Sequence, residues 1–172
     1  MTLSRLHTTL AVLLLLMAAP VWMGGCTPAR SFAMPESPPA DFLLAATVFT
    51  PAAEQPSEPA SVPARYILEP DATLRASIGP GSTPTTFPKP TRTLTSEQLA
   101  RVWALARPLG LENGDARIIV SPENFSPPGS DGSILIEFRA DEAQRSYAYP
   151  ASNPHARALI DALAELAWVR PD

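Results

Sequence analysis

Residues 134–167 read ILIEFRADEAQRSYAYPASNPHARALIDALAELA, and this stretch predicts two β-strands followed by a helix. Side chains alternate in character along 134–139 and again along 145–149, and this two-residue period is typical of a half-buried strand. Residues 140–144 form the turn between them. Asn153 is a suitable N-cap and Pro154 suits the first helical position. The apolar stripe of this helix consists of Ala156, Leu159, Ile160, Leu163 and Ala167.

A similar pattern lies earlier in the chain. Residues 65–69 and 73–78 are strand-like and flank Pro70-Asp71-Ala72, a sequence that favours a turn. Thr95 and Gln98 then match a capping box, the signature of a helix start. The apolar face of this helix consists of Leu99, Val102, Trp103 and Ala106, and we expect Pro108 and Gly110 to end it. We interpret Trp103 as a core residue rather than a ligand platform.

The remaining stretches are read as connections. Four prolines and two glycines in 79–93 predict about fifteen residues without regular structure. Residues 117–120 predict a short strand and 121–132 a loop. Together the elements predict an α+β domain over 65–172, in which a small antiparallel sheet of hairpins carries two amphipathic helices on one face.

Residues 26–64 are expected to form a disordered Pro-rich and Ala-rich tether. An apolar island, Phe42–Phe49, interrupts it between Asp41 and Pro51. We interpret the island as an edge strand of the domain; a partner-binding segment and an exposed segment without a partner are the alternatives.

Composition excludes several classes of protein. The chain has 172 residues, with 21 prolines against eight glycines, so a compact fold over its whole length is not expected. Its 13 basic and 17 acidic side chains, without a basic patch, argue against a nucleic-acid partner. A single cysteine excludes an intrachain disulfide or a cysteine-built metal site, and we predict neither a metal nor a cofactor.

Residues 1–25 have the parts of a secretory signal. Arg5 stands before ten uninterrupted apolar residues, Leu10–Ala19, and small residues follow. The apolar stretch is too short for a stable membrane span. At Met23-Gly24-Gly25-Cys26 the chain resembles the lipobox of bacterial lipoproteins.

That resemblance implies that residues 1–25 are a lipoprotein signal peptide and that Cys26 is diacylated on sulfur and becomes the new N-terminus. It also implies export, with Thr27 after the cysteine favouring the outer membrane or the periplasmic face. The alternative is an ordinary signal peptide cut near Ala18 or Ala19, with Cys26 a free thiol.

Candidate catalytic residues are few. His155 is the one histidine beyond the leader, and we interpret it as a surface residue. Glu137, Asp141 and Glu142 surround the second hairpin turn, where carboxylates are usually solvated. Arg145, Tyr147 and Tyr149 share one strand face, which is either a binding surface or, in the interpretation we favour, the rim of the core.

The sequence therefore predicts a lipid-anchored protein of the cell envelope that is not an enzyme. Its domain would bind an envelope protein or polymer while Cys26 holds it at the membrane. The alternative is a small envelope hydrolase that uses Glu137, Asp141 or His155 in a groove against the 79–93 loop.

Overall fold

The computed structural model describes residues 35–50, 59–111, 117–127 and 132–167. These belong to one compact unit, Phe32–Asp172, and a second unit, Met1–Ser31, lies outside the described residues. The strands are β1 Leu43–Phe49, β2 Ala64–Leu68, β3 Thr73–Ile78, β4 Pro90–Thr93, β5 Arg117–Ile118, β6 Ser133–Ala140 and β7 Ala143–Pro150. The helices are α1 Ser96–Leu111 and α2 Pro154–Ala167, and short 3₁₀ turns occur at Pro59–Ser61 and Pro122–Asn124.

The seven strands form one antiparallel sheet in the order β4-β3-β2-β1-β6-β7-β5. Both helices pack against the same face, and side chains from the sheet and the helices share one core cluster. The predicted α+β class is confirmed.

The expectation that Phe42–Phe49 forms an edge strand is wrong. Strand β1 lies in the centre of the sheet, where it pairs with β2 on one side and with β6 on the other. Its side chains are buried on both faces: Leu44 and Val48 face the helices, and Ala45 and Thr47 face away from them. An unbroken apolar run is the sequence pattern of a strand covered on both faces.

The domain boundary at residue 65 is therefore also wrong, because the sheet lacks its central strand without residues 43–49. The described residues begin at Pro35, and those within the predicted tether include β1 and the 3₁₀ turn at Pro59–Ser61. The tether residues 26–34 and 51–58 lie outside the described residues.

The two predicted hairpins are confirmed, and each has its own turn. In the first, Ala72 has a φ of 64°, and the N–H of Thr73 donates to Asp71 Oδ1 at 2.9 Å. In the second, a two-residue turn places Asp141 and Glu142 at φ values of 50° and 63°. Positive φ at both central residues matches the right-handed twist of the flanking strands.

The expectation of no regular structure in 79–93 is wrong at its end, where Pro90–Thr93 forms β4 at one edge of the sheet. Proline is tolerated at an edge because its missing N–H is not needed for pairing. The predicted strand at 117–120 is shorter than expected, since β5 covers Arg117–Ile118.

Local capping signals position both helices. At α1 the N–H of Thr95 donates to Gln98 Oε1 at 3.0 Å and the N–H of Gln98 donates to Thr95 Oγ1 at 3.2 Å, so the capping box is confirmed. At α2 Asn153 Oδ1 accepts the N–H groups of His155 and Ala156. Pro108 does not end α1, which continues to Leu111: proline removes one N–H, and the helix persists for only part of a turn beyond it.

Candidate functional site

The described structure has a groove between α1 and the segment 35–41 that precedes β1. Its volume is about 550 Å³, within the ~300–1,000 Å³ range of small-ligand sites. Its lining consists of Ala100, Trp103, Ala104, Arg107 and Pro108 from α1 with Glu36, Ser37 and Pro38 from the segment.

Trp103 holds the two walls together. Its ring is 2% exposed and meets Phe42 edge to face, with 4.7 Å between ring centroids. Its Nε1–H lies 3.2 Å from the carbonyl oxygens of both Pro35 and Glu36. The interpretation of Trp103 as core is confirmed, and the same side chain also fixes the backbone of Pro35 and Glu36 against α1.

The groove has two charged side chains, Arg107 from α1 and Glu36 from the facing segment. Arg107 lies one helical turn after Trp103, and its buried Nε has no hydrogen-bond acceptor among the described residues. A buried donor without an acceptor costs roughly 1–3 kcal/mol. Ala100 and Ala104 are exposed, and their small side chains leave room for a ligand along the surface of α1. The groove thus combines apolar walls with one cationic and one anionic side chain.

Glu137 is not the solvated turn carboxylate that the sequence predicts. It lies on the sheet face away from the helices and forms an ion pair with Arg65 Nη1, which also donates to Thr47 Oγ1 at 2.6 Å. The side chains of Arg65 and Glu137 are 6% and 15% exposed. Because this carboxylate neutralises a buried guanidinium, its observed role is structural.

Asp141 and Glu142 are exposed, and their backbone is held by a third carboxylate. The N–H of Asp141 donates to Asp41 Oδ1 and the N–H of Glu142 to Asp41 Oδ2, both at 2.9 Å. Both hydrogen bonds stabilise the charged carboxylate and lower the pKa of Asp41 below its ordinary value, and the bond from Glu142 has the larger effect. Asp41 thereby stabilises a turn whose positive φ angles are costly for residues other than glycine.

The remaining candidates lie outside the groove. His155 is exposed at the start of α2 and does not line it. Tyr147 and Tyr149 are buried, and Tyr149 donates its hydroxyl to the carbonyl of Leu109, so the interpretation of this strand face as part of the core is confirmed for both tyrosines. Arg145 is half-buried beside them.

The 79–93 loop packs against β3. The Arg75 guanidinium lies 4.5 Å from the centre of the Phe87 ring and donates to the Pro88 carbonyl. Ser82 Oγ donates to the carbonyl of Ser77 at 3.0 Å. The groove described above is built by other residues, and none of its lining comes from this loop.

No family model, curated protein or solved structure matches this chain. Within the described ranges no cluster of three His, Cys, Asp or Glu side chains could hold a metal ion, and neither α1 nor α2 has the length and apolarity to span a membrane. Cys26 lies outside the described residues.

Sequence reasoning missed the groove. The sequence signal for the groove is weak, because it consists of Trp103 and Arg107, four residues apart on one helix, with Ala100 and Ala104 beside them. The second wall comes from a segment about 65 residues away, which helical spacing cannot reveal.

Proposed function

We propose that this protein is a lipid-anchored interaction domain of the cell envelope, held at a membrane through Cys26, which binds a partner in the groove on α1. The leader, the apolar run and the small residues before Cys26 support the anchor. The binding role rests on one observation, the groove, whose walls are largely apolar and include the Arg107 guanidinium.

The central position of β1 shortens the link between anchor and domain. Nine residue steps separate Cys26 from Pro35, and at no more than ~3.6 Å each they reach roughly 30 Å. A tether running to residue 64 would reach much further. The proposal therefore places the domain close to the membrane surface, where it meets partners of the same membrane or of the adjacent envelope.

The proposed ligand of the groove is an extended peptide segment of an envelope protein. Trp103 already fixes a peptide segment against this groove, because its indole donates to the carbonyls of Pro35 and Glu36. Extended proline-containing peptides lose little conformational entropy on binding, which favours them as ligands. A peptide carbonyl or carboxylate of the partner would pair with the Arg107 guanidinium in the groove wall.

The hydrolase alternative gains no support from this geometry. A two-carboxylate hydrolase needs both carboxyl groups across one substrate. The described lining contains one carboxylate, Glu36, and includes neither Glu137 nor Asp141 nor His155.

Site-specific photo-crosslinking in cells tests the proposed groove. A photoreactive residue at Ala104, which is exposed and lines the groove, should yield one discrete adduct with a second protein. Arg107→Gln should lower the adduct yield about tenfold, the effect of losing ~1.4 kcal/mol or more from a charge-assisted hydrogen bond.

Arg101→Gln is the matched control, because Arg101 is on the same helix but is exposed and paired with Glu165. It should leave the yield unchanged. An adduct that forms equally well in Arg107→Gln, or no adduct at Ala104, would contradict the proposal.

A further inference from the structure

The segment before β1 is held to the rest of the domain at two separate points. At the first point, the Trp103 indole N–H donates to the carbonyls of Pro35 and Glu36, both at 3.2 Å. At the second point, the Asp41 carboxylate accepts two backbone N–H groups of the β6–β7 turn. Residues 35–38, which we call the strap, lie before the second point and are held by the first.

The strap makes few contacts of its own. Glu36 and Ser37 are exposed, and the chain bends at both residues. Within the described part of the chain, the strap forms no ion pair, and its only hydrogen bond is the shared one from the Trp103 indole. One net hydrogen bond is a small fraction of the free energy that keeps a domain folded. A segment with so few contacts opens locally, without unfolding of the sheet and helices.

The strap is also one wall of the groove. Glu36, Ser37 and Pro38 line the groove on one side, and Ala104 and Arg107 line it from α1. Glu36 and Arg107 carry opposite charges on the two walls, and in the described structure they do not form an ion pair with each other. The groove therefore exists only while the strap lies against α1, and the charges of its two walls attract each other.

We propose that the strap is a movable wall, which closes over the ligand of the groove and opens to release it. This inference rests on the proposed function, because it concerns the same groove and the same peptide ligand. A ligand that contacts both walls binds only when the strap is closed, so its binding shifts the population towards the closed state. The hinge consists of Pro39 and Ala40, which lie between the two points of attachment.

Opening of the strap also changes the link to the proposed anchor. With the strap closed, the first held residue is Pro35, nine residue steps from Cys26. With the strap open, the first held residue is Asp41, fifteen steps from Cys26, and at ~3.6 Å per step the maximal reach rises from roughly 30 Å to roughly 50 Å. An occupied groove therefore keeps the domain closer to the membrane than an empty one.

Hydrogen exchange measured by NMR tests the opening without any ligand. The probe is the indole N–H of Trp103 in the full chain, identified as the indole signal that persists in both Trp22→Phe and Trp168→Phe. Its protection factor should be at least a hundredfold lower than that of the Val48 amide in the central strand, and it should depend little on urea. Equal protection of the two protons, with the same dependence on urea, would overturn the proposal.

Glycine substitution tests the hinge. Pro39→Gly keeps the carbonyl that accepts the Phe42 N–H and gives the released strap more conformational freedom, so exchange of the Trp103 indole proton should become roughly two- to fivefold faster. Pro84→Gly is the matched control, because it makes the same change in the 79–93 loop, and it should leave that rate unchanged. An equal effect of the two substitutions, or no effect of Pro39→Gly, would contradict the proposal.

Photo-crosslinking in cells separates this inference from the proposed function. A photoreactive residue at Ser37 on the strap should give an adduct with the same partner as a photoreactive residue at Ala104 on α1. An adduct at Ala104 with none at Ser37 would overturn the movable wall and leave the proposed binding role in place. The absence of an adduct at both positions would contradict both.

Discussion

The ion pair between Arg65 and Glu137 allows a strong quantitative prediction. Replacing Glu137 with alanine leaves the Arg65 guanidinium, 6% exposed, with Thr47 as its remaining described side-chain partner. Breaking a buried pair from one side typically costs ~3–5 kcal/mol. Because Glu137 is itself 15% exposed, water can partly replace it, and we expect a loss of about 2–4 kcal/mol in the free energy of unfolding.

Urea unfolding of the purified chain measures this loss. Glu165→Ala is the matched control: it breaks an Arg–Glu pair whose side chains are 51% and 63% exposed, and it should leave the unfolding midpoint unchanged. The double variant Arg65→Met with Glu137→Leu removes both charges and should recover most of the stability. A Glu137→Ala protein within about 0.5 kcal/mol of the parent, the usual size of a surface change, would refute the structural role of the pair.

A chain beginning at Ala64 should lack a cooperative thermal melt, whereas one beginning at Pro35 should melt cooperatively, since only the second contains the central strand β1. Asp41→Asn should lower the free energy of unfolding at neutral pH by about 1 kcal/mol. Because the pKa of Asp41 is lowered in the folded state, its contribution to the free energy of unfolding is complete above its ordinary pKa of 3.8 and is lost as pH falls through the folded-state pKa. Urea unfolding along a pH series should therefore show the free energies of unfolding of the parent and Asp41→Asn converging in acid. Leu159→Ala, at a fully buried position, should cost ~2–5 kcal/mol, whereas His155→Ala, on the surface, should change stability by less than about 0.5 kcal/mol in the same measurement.

The hairpins and helices could be predicted because their signals are local. Turn residues at Pro70-Asp71 and the caps at Thr95 and Asn153 act within four residues, and the structure contains each element near its expected place. The position of Phe42–Phe49 in the sheet could not be read in the same way, because strand order depends on pairing between segments about 90 residues apart. Its unbroken apolar run was nevertheless a signal for burial on both faces.

The candidate site shows the same division. A two-residue period puts Glu137 on the opposite face of its strand from Ile136 and Phe138, but it cannot reveal that Arg65, 72 residues earlier, ends opposite Glu137. The groove needs the contact between Trp103 and the Pro35–Glu36 backbone, which sequence spacing does not contain.

Intact mass of the protein extracted from membranes tests the claim that Cys26 holds the domain at a membrane. We expect a chain that begins at Cys26 and carries acyl groups on it, and we expect Cys26→Ala to release the protein from the membrane or to leave its leader uncut. A mature chain that begins near Val21, with an unmodified Cys26 thiol, would contradict the claim.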